Sequence, residues 1–346
     1  MRITNIGVFF FLLSVIFPLI FIPFSSSLRD YMAIKLLILF IGIFLETLRQ
    51  IPQKPKIRFN YSDKLIAALI FWVFFSVVWG DYALETIGVQ FIYLGIFLFS
   101  YVIARVSDLR NKKLEKTFIY VLILEMVLHY FFIGLERGSI NGAYLIGGVS
   151  SFFLFAFTKI SYRQLFLSTV ITAFFGGRRF VIVQLVGFFR KINKWAFLIF
   201  FALALLIINV ITLQQFGQNI VIYQFFLGYR AFEYTMLFSN LSIVDLIFGS
   251  GLGTESFFYS YPSKGQVKHY GLFHNFYLTV IFNYGLIGFF ILSNLIYITI
   301  KKNHGIILLF TISWVVVAAI DSPKDGHWPL GALLGILNSN DNTNTA

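Results

Sequence analysis

The chain has 346 residues, of which 58% are hydrophobic, 20% aromatic and 12% charged, with a mean hydropathy of +0.83. A soluble domain of this size carries roughly twice that share of charge, so a soluble globular protein is excluded and a polytopic helical membrane protein is expected. The absence of cysteine removes disulfides, thiolate metal sites and cysteine nucleophiles. The net charge of +12 is spread in short basic clusters between apolar runs, the pattern of inner loops and not of a nucleic-acid groove.

Apolar runs long enough to cross a bilayer, about 20 residues each, fall at 5–24, 31–47, 64–80, 87–104, 118–135, 142–158, 195–213, 285–300 and 305–320. The first has no small-residue cleavage site after it and reads as a retained signal anchor. Basic clusters at Arg49–Lys64, Arg105–Lys116, Lys159/Arg163, Arg190–Lys194 and Lys301/Lys302 fix the cytoplasmic side, and Ser25–Asp30, Asp81–Glu85 and Glu136–Asn141 face outward.

This alternation requires that 164–189 form a hairpin of two short helices, because a straight span would bury Arg178 and Arg179 at its centre. With a short final span near 327–338, the expectation is an all-α, single-domain protein covering residues 1–346. It has about twelve spans, two of them short, with both termini cytoplasmic. One long outer loop runs from residue 214 to 275 and gathers Arg230, Glu233, Lys264, Lys268, His269 and His274, a concentration of ionisable groups that a hydrocarbon slab gives no reason to keep.

Chemistry is therefore sought in that loop and at the Arg pair. Arg178 and Arg179 offer fixed charge and bidentate donors suited to a lipid-linked phosphate; the alternative is that they snorkel to headgroups or pair with Glu136 or Asp321. Arg230 could hold a second phosphate, or it pairs with Glu233 one turn on. The glycines of Phe248–Thr254 would let backbone amides approach a polar ligand, although the run lacks the Lys-Ser/Thr of a nucleotide loop.

His274, beside Asn275 at the expected water–lipid boundary, is placed to act as a general base. His269 adds no third ligand, so no metal and no cofactor is expected. Glu125 and His129, one turn apart inside a span, either support the site or tie two helices together. Asn275 and Tyr277 complete the candidate set.

In order, Gly-Gly-Arg178-Arg179, Gly-Tyr-Arg230, Phe-Gly-Ser-Gly-Leu-Gly253, His274-Asn-Phe-Tyr-Leu and Tyr284-Gly-Leu-Ile-Gly288 resemble the O-antigen polymerase and ligase superfamily over about residues 170–300. The resemblance implies an inverting, metal-independent glycosyltransferase of the bacterial inner membrane, working at the periplasmic face. Donor and acceptor would be undecaprenyl-diphosphate-linked oligosaccharides within the membrane lipid, and a chain-length regulator and a flippase would be its partners; no nucleic acid is involved. It assigns the diphosphate to Arg178 or Arg179 and to Arg230, and the loop histidine's role to His274. The family's usual small-residue pattern at the first motif is replaced here by Gly-Arg-Arg, so which arginine takes the role stays open. The favoured reading is the repeat-unit polymerase, with O-antigen ligase as alternative; a flippase would line a central path with its cations, often with repeat symmetry.

Overall fold

The computed structural model describes residues 6–21, 28–51, 59–107, 166, 169–170, 241–254, 256–259, 266–269, 275–304, 306–320 and 328–339. Their helices in chain order are α1 (Ile6–Phe21), α2 (Leu28–Gln50), α3 (Tyr61–Phe75), α4 (Leu84–Val106), α5 (Ile243–Phe248), α6 (Phe276–Lys302), α7 (Ile306–Ile320) and α8 (Trp328–Asn338). A 3₁₀ turn, Ser76–Trp79, prolongs α3. The stretches Tyr61–Trp79, Leu84–Val106 and Phe276–Lys302 are long and apolar enough to cross a membrane.

The architecture is helical as expected, with one departure. Inside the predicted loop, β1 (Ser256–Tyr259) and β2 (Gln266–His269) pair antiparallel with Ser256 opposite His269 and Tyr259 opposite Gln266. The consecutive aromatics Phe257, Phe258 and Tyr259 and the β-branched Val267 are residue types that favour strands.

Side-chain bonds gather the helix ends at one pole. Asn60 and Asp63 form a capping box that starts α3. Arg105, near the end of α4, donates from Nε and Nη2 to the two Asp63 carboxylate oxygens at 3.1 Å each, and the Tyr101 hydroxyl donates to the same group at 3.1 Å. Ser62 Oγ donates to Asn338 Oδ1 at 2.9 Å, and Asn338 Nδ2 donates to Thr299 Oγ1 at 3.0 Å, which brings the ends of α8 and α6 to this pole. The Glu46 carboxylate accepts from Gly7 N at 2.8 Å and pairs with Arg49, while Gln50 Nε2 bonds Val106 O at 2.8 Å. Thus Arg49, Arg105 and Lys301–Lys302 lie at one end, as the alternation of basic clusters requires.

α8 is a half-height helix packed on α4. A Cβ on Gly331 would lie 2.2 Å from Phe97 O, and one on Gly335 2.4 Å from Tyr101 O. The two glycines, four residues apart, let the backbones touch as small residues do between membrane helices. At the N-terminal end of α8, Trp328 is 1% exposed, against the Phe11 ring at 5.8 Å and under the Lys35 ammonium at 4.5 Å. The run expected to form a short final span near 327–338 is an apolar helix of eleven residues, about 16 Å long.

Candidate functional site

α6 is two helices joined at one residue. Gly285 has φ 66 and ψ −174, a region that essentially only glycine enters, so the helical ladder stops there. A continuous helix would direct the carbonyls of Phe282, Asn283 and Tyr284 at Leu286, Ile287 and Gly288. They accept elsewhere: Ser250 N bonds Phe282 O at 2.7 Å, Gly251 N bonds Asn283 O at 3.1 Å, and the Trp72 indole donates to Tyr284 O at 2.8 Å.

The partners come from the glycine run after α5, and the run is bound on its other side too. Leu252 N reaches Ser76 O at 3.3 Å and Ser76 Oγ at 3.2 Å, Gly253 N reaches Gln90 Oε1 at 2.8 Å, and the Trp79 indole donates to Gly249 O at 3.0 Å. Two glycines meet directly, since a Cβ on Gly285 would fall 2.5 Å from Gly249 N and one on Gly249 2.4 Å from Asn283 O. The reading of these glycines as amide donors for a ligand is overturned: the amides of residues 249–254 all bond within the chain, and the run is a seal between α3, α4 and the break in α6.

Gln90 sits at the centre of the seal, 1% exposed. Its carbonyl takes Gly253 N, and its amide donates to Thr254 O at 3.2 Å and to Asn283 Oδ1 at 3.0 Å. Nothing in the sequence singled it out; the available signal was an amide side chain inside an apolar run, where a polar group is retained only with partners. Gln90→Leu removes the hydrogen bonds that Gln90 makes to Gly253 N, Thr254 O and Asn283 Oδ1, at roughly 1–3 kcal/mol for each buried group left unmet. The variant should melt several degrees below wild type in detergent by intrinsic tryptophan fluorescence, and an unchanged midpoint would show that the seal contributes little.

The limb before the break runs back towards the pole of Arg105. Asn283 is level with Gln90, whereas the Phe276 ring lies 5.4 Å from that of Phe97, seven residues nearer that pole on α4. The Tyr277 hydroxyl donates to Val315 O at 2.8 Å, and its ring lies 6.2 Å from Phe289 on the other limb. At about 1.5 Å per helical residue, these contacts put Tyr277 roughly 12–15 Å from the Arg105 level, and Asn283 roughly 20 Å. The segment 276–284 is a re-entrant limb, and Asn275 at its foot stands at mid-height of the helical body. Hydropathy reads Asn275 as the start of a run entering the membrane from its boundary; the structure sets it nearer the Arg105 pole than the break at Gly285. The continuous apolar run hides a reversal that only Gly285 permits.

Asn275 and Tyr277, expected as supporting site residues, have structural duties. The Asn275 Oδ1 caps the limb by accepting from Tyr277 N at 2.9 Å and Leu278 N at 3.2 Å, and its carbonyl takes the Thr279 hydroxyl at 3.1 Å. Tyr277 fastens the limb to α7. A narrow cleft opens beside them, lined by Gln90, Tyr93, Leu94, Phe276, Thr279, Val280, Asn283 and Tyr284.

Arg178, Arg179, Arg230, Glu233, His274, Glu125 and His129 lie outside the described residues. Among the described residues no three His, Asp or Glu side chains come together. His269 belongs to β2. What the described part can do chemically is positional: it holds the covalent neighbour of His274 on a capped helix start at mid-height, next to a narrow cleft whose open surface is almost wholly apolar. Comparison of the chain with protein-family models, with characterised proteins and with solved structures finds no match.

Proposed function

We propose that this chain is a multi-pass glycosyltransferase of about twelve spans in the bacterial inner membrane, a repeat-unit polymerase of a surface polysaccharide such as O-antigen. The observation that carries the reading is the order of its motifs, Gly-Gly-Arg-Arg179, Gly-Tyr-Arg230, the glycine run, His274-Asn-Phe-Tyr-Leu and Tyr284-Gly-Leu-Ile-Gly288. It is supported by the last three of these motifs being parts of one packed unit: the glycine run seals the break at Gly285, and that break sends the limb back to Asn275. An enzyme acting on a lipid-linked donor needs such irregular backbone where the membrane body opens a cavity, because the prenyl tail stays in lipid while the head group is captured.

In this mechanism an acceptor sugar hydroxyl attacks the anomeric carbon of the undecaprenyl-diphosphate-linked donor. His274 withdraws the hydroxyl proton as the new glycosidic bond forms and the bond to the diphosphate breaks, with inversion at that carbon. Arg230 and one of Arg178 and Arg179 stabilise the charge that grows on the departing diphosphate, the task a divalent ion performs in other transferases. Glu233 orients Arg230, and Glu125 with His129 supports the site from within the bundle.

The test is a gel ladder of surface polysaccharide from a deletion strain complemented with wild type, Arg230→Ala or His274→Ala, with the membrane level of each variant measured. A core-plus-one-unit band in the deletion, with ladders restored by wild type alone, is the expected result. Bare core with accumulating lipid-linked polymer would instead mean a ligase, repeat units trapped on the cytoplasmic leaflet would mean a carrier, and full ladders from both variants would overturn the site assignment.

A further inference from the structure

α5 has six residues and a single charge, the Asp245 carboxylate, which is taken up by its own N-cap: it accepts from Ser242 N at 3.2 Å and from Ser242 Oγ at 2.7 Å. Four of its residues form one outward stripe, Ile243 at 78%, Val244 at 64%, Ile247 at 40% and Phe248 at 43% exposure. Beside the stripe stand Trp72 and Trp79, whose rings lie 6.4 and 6.5 Å from that of Phe248 and whose indole N–H groups are satisfied by backbone carbonyls of the seal.

The same surface continues down the 3₁₀ turn and α3, where Val78, Phe75, Phe74 and Phe71 are all about half exposed or more. α3 with its 3₁₀ turn is long and apolar enough to cross a membrane, and only 28% of that stretch is buried in the protein. From Asp63 to the turn at Gly80 is about 25 Å of helix, close to the hydrocarbon thickness of a bilayer. The stripe therefore begins where the lipid-facing side of α3 reaches the far boundary. Tryptophan is enriched in that layer, and a helix lying in it turns an apolar face to the acyl chains.

We infer that α5 is an interfacial anchor whose Ile243, Val244, Ile247 and Phe248 stripe binds the lipid headgroup–acyl boundary, holding the glycine seal at a fixed depth. The occupant is lipid, because the stripe is continuous with the exposed side of a helix that has the length and composition of a span. The inference rests on the membrane part of the function proposed above and is independent of the sugar chemistry.

The chain has no cysteine, so single labels can be introduced without removing any. Nitroxides at Val244→Cys and Ile243→Cys, in full-length protein reconstituted in phospholipid nanodiscs, are compared by power saturation with Phe71→Cys as hydrocarbon reference and Lys302→Cys as aqueous reference. The expected result is an oxygen-over-nickel-chelate accessibility at Ile243 and Val244 several-fold above that at Lys302 and approaching that at Phe71. Labels favouring the nickel chelate, with Phe71 still favouring oxygen, would show an aqueous face and overturn the anchor alone. Shielding from both reagents would mean that protein covers the stripe, which also overturns it. Phe71 favouring the chelate would overturn the membrane reading itself.

Discussion

Gly285→Val is expected to leave little folded protein. The residue holds φ 66 with ψ −174, where a β-branched side chain costs about 1–3 kcal/mol in backbone strain alone. The larger loss is steric, because a Cβ there would lie 2.2 Å from Ile247 O and 2.5 Å from Gly249 N. Both are backbone atoms, and Gly249 is itself held by Asp245 O at 2.8 Å and by the Trp79 indole at 3.0 Å. Neither side can withdraw without releasing the carbonyls of residues 282–284 into an apolar surround, at several kcal/mol for an unmet group. Gly88→Ala is the matched control, since a Cβ on Gly88 would meet nothing within 4 Å, and alanine is the better helix former within α4. Size-exclusion profiles of fluorescent fusions should show a monodisperse peak for Gly88→Ala and mostly aggregate for Gly285→Val. Equal profiles would mean that the break in α6 is not needed for the fold.

The second large effect is expected at the opposite pole. Asp63 and Arg105 form a two-pronged pair with side-chain exposures of 10% and 6%. Asp63→Ala takes this carboxylate from the guanidinium, leaves the Tyr101 hydroxyl without this acceptor and removes half of the capping box with Asn60. Breaking one partner of a buried pair costs about 3–5 kcal/mol, whereas replacing both by apolar groups is often close to neutral. The double variant Asp63→Ala/Arg105→Met should therefore recover most of the melting temperature lost by Asp63→Ala in detergent. A double variant as unstable as the single one would show that the cap, and not the charge, carries the loss.

The parts of the fold that hydropathy governs were legible in the sequence. The runs at 64–80 and 87–104 became Tyr61–Trp79 and Leu84–Val106, their ends shifted by one to three residues because caps and not hydropathy decide the ends. The run expected from 285 opens at the break in α6. What composition could not show was direction: residues 276–284 are as apolar as the limb that follows, and a window average cannot tell a long span from a reversal. The glycine run misled for a related reason. Positive φ at Gly249, Gly251 and Gly253 was foreseeable in a run of alternating glycines, but which groups would take their amides depended on Ser76, Gln90 and Asn283, distant in the chain. His274 and the arginines rest on motif order, and the neighbouring Asn275 proves to be a helix cap.

The seal also has a history within each molecule's synthesis. Its halves are made far apart: Trp79 bonds a residue 170 positions later, Gln90 one 193 later and Trp72 one 212 later. α1 to α4 are made first, with the capping box of α3 and the Asp63–Arg105 pair already complete within their own sequence. The upper ends of α3 and α4 must then wait, two indoles and one amide without these partners, until Gly285 has left the ribosome. Closing loops of that length is slow compared with helix insertion. The nascent protein thus passes through a stage in which one pole is fastened and the other stands open, and that stage is when insertion machinery and quality-control proteases have something to recognise.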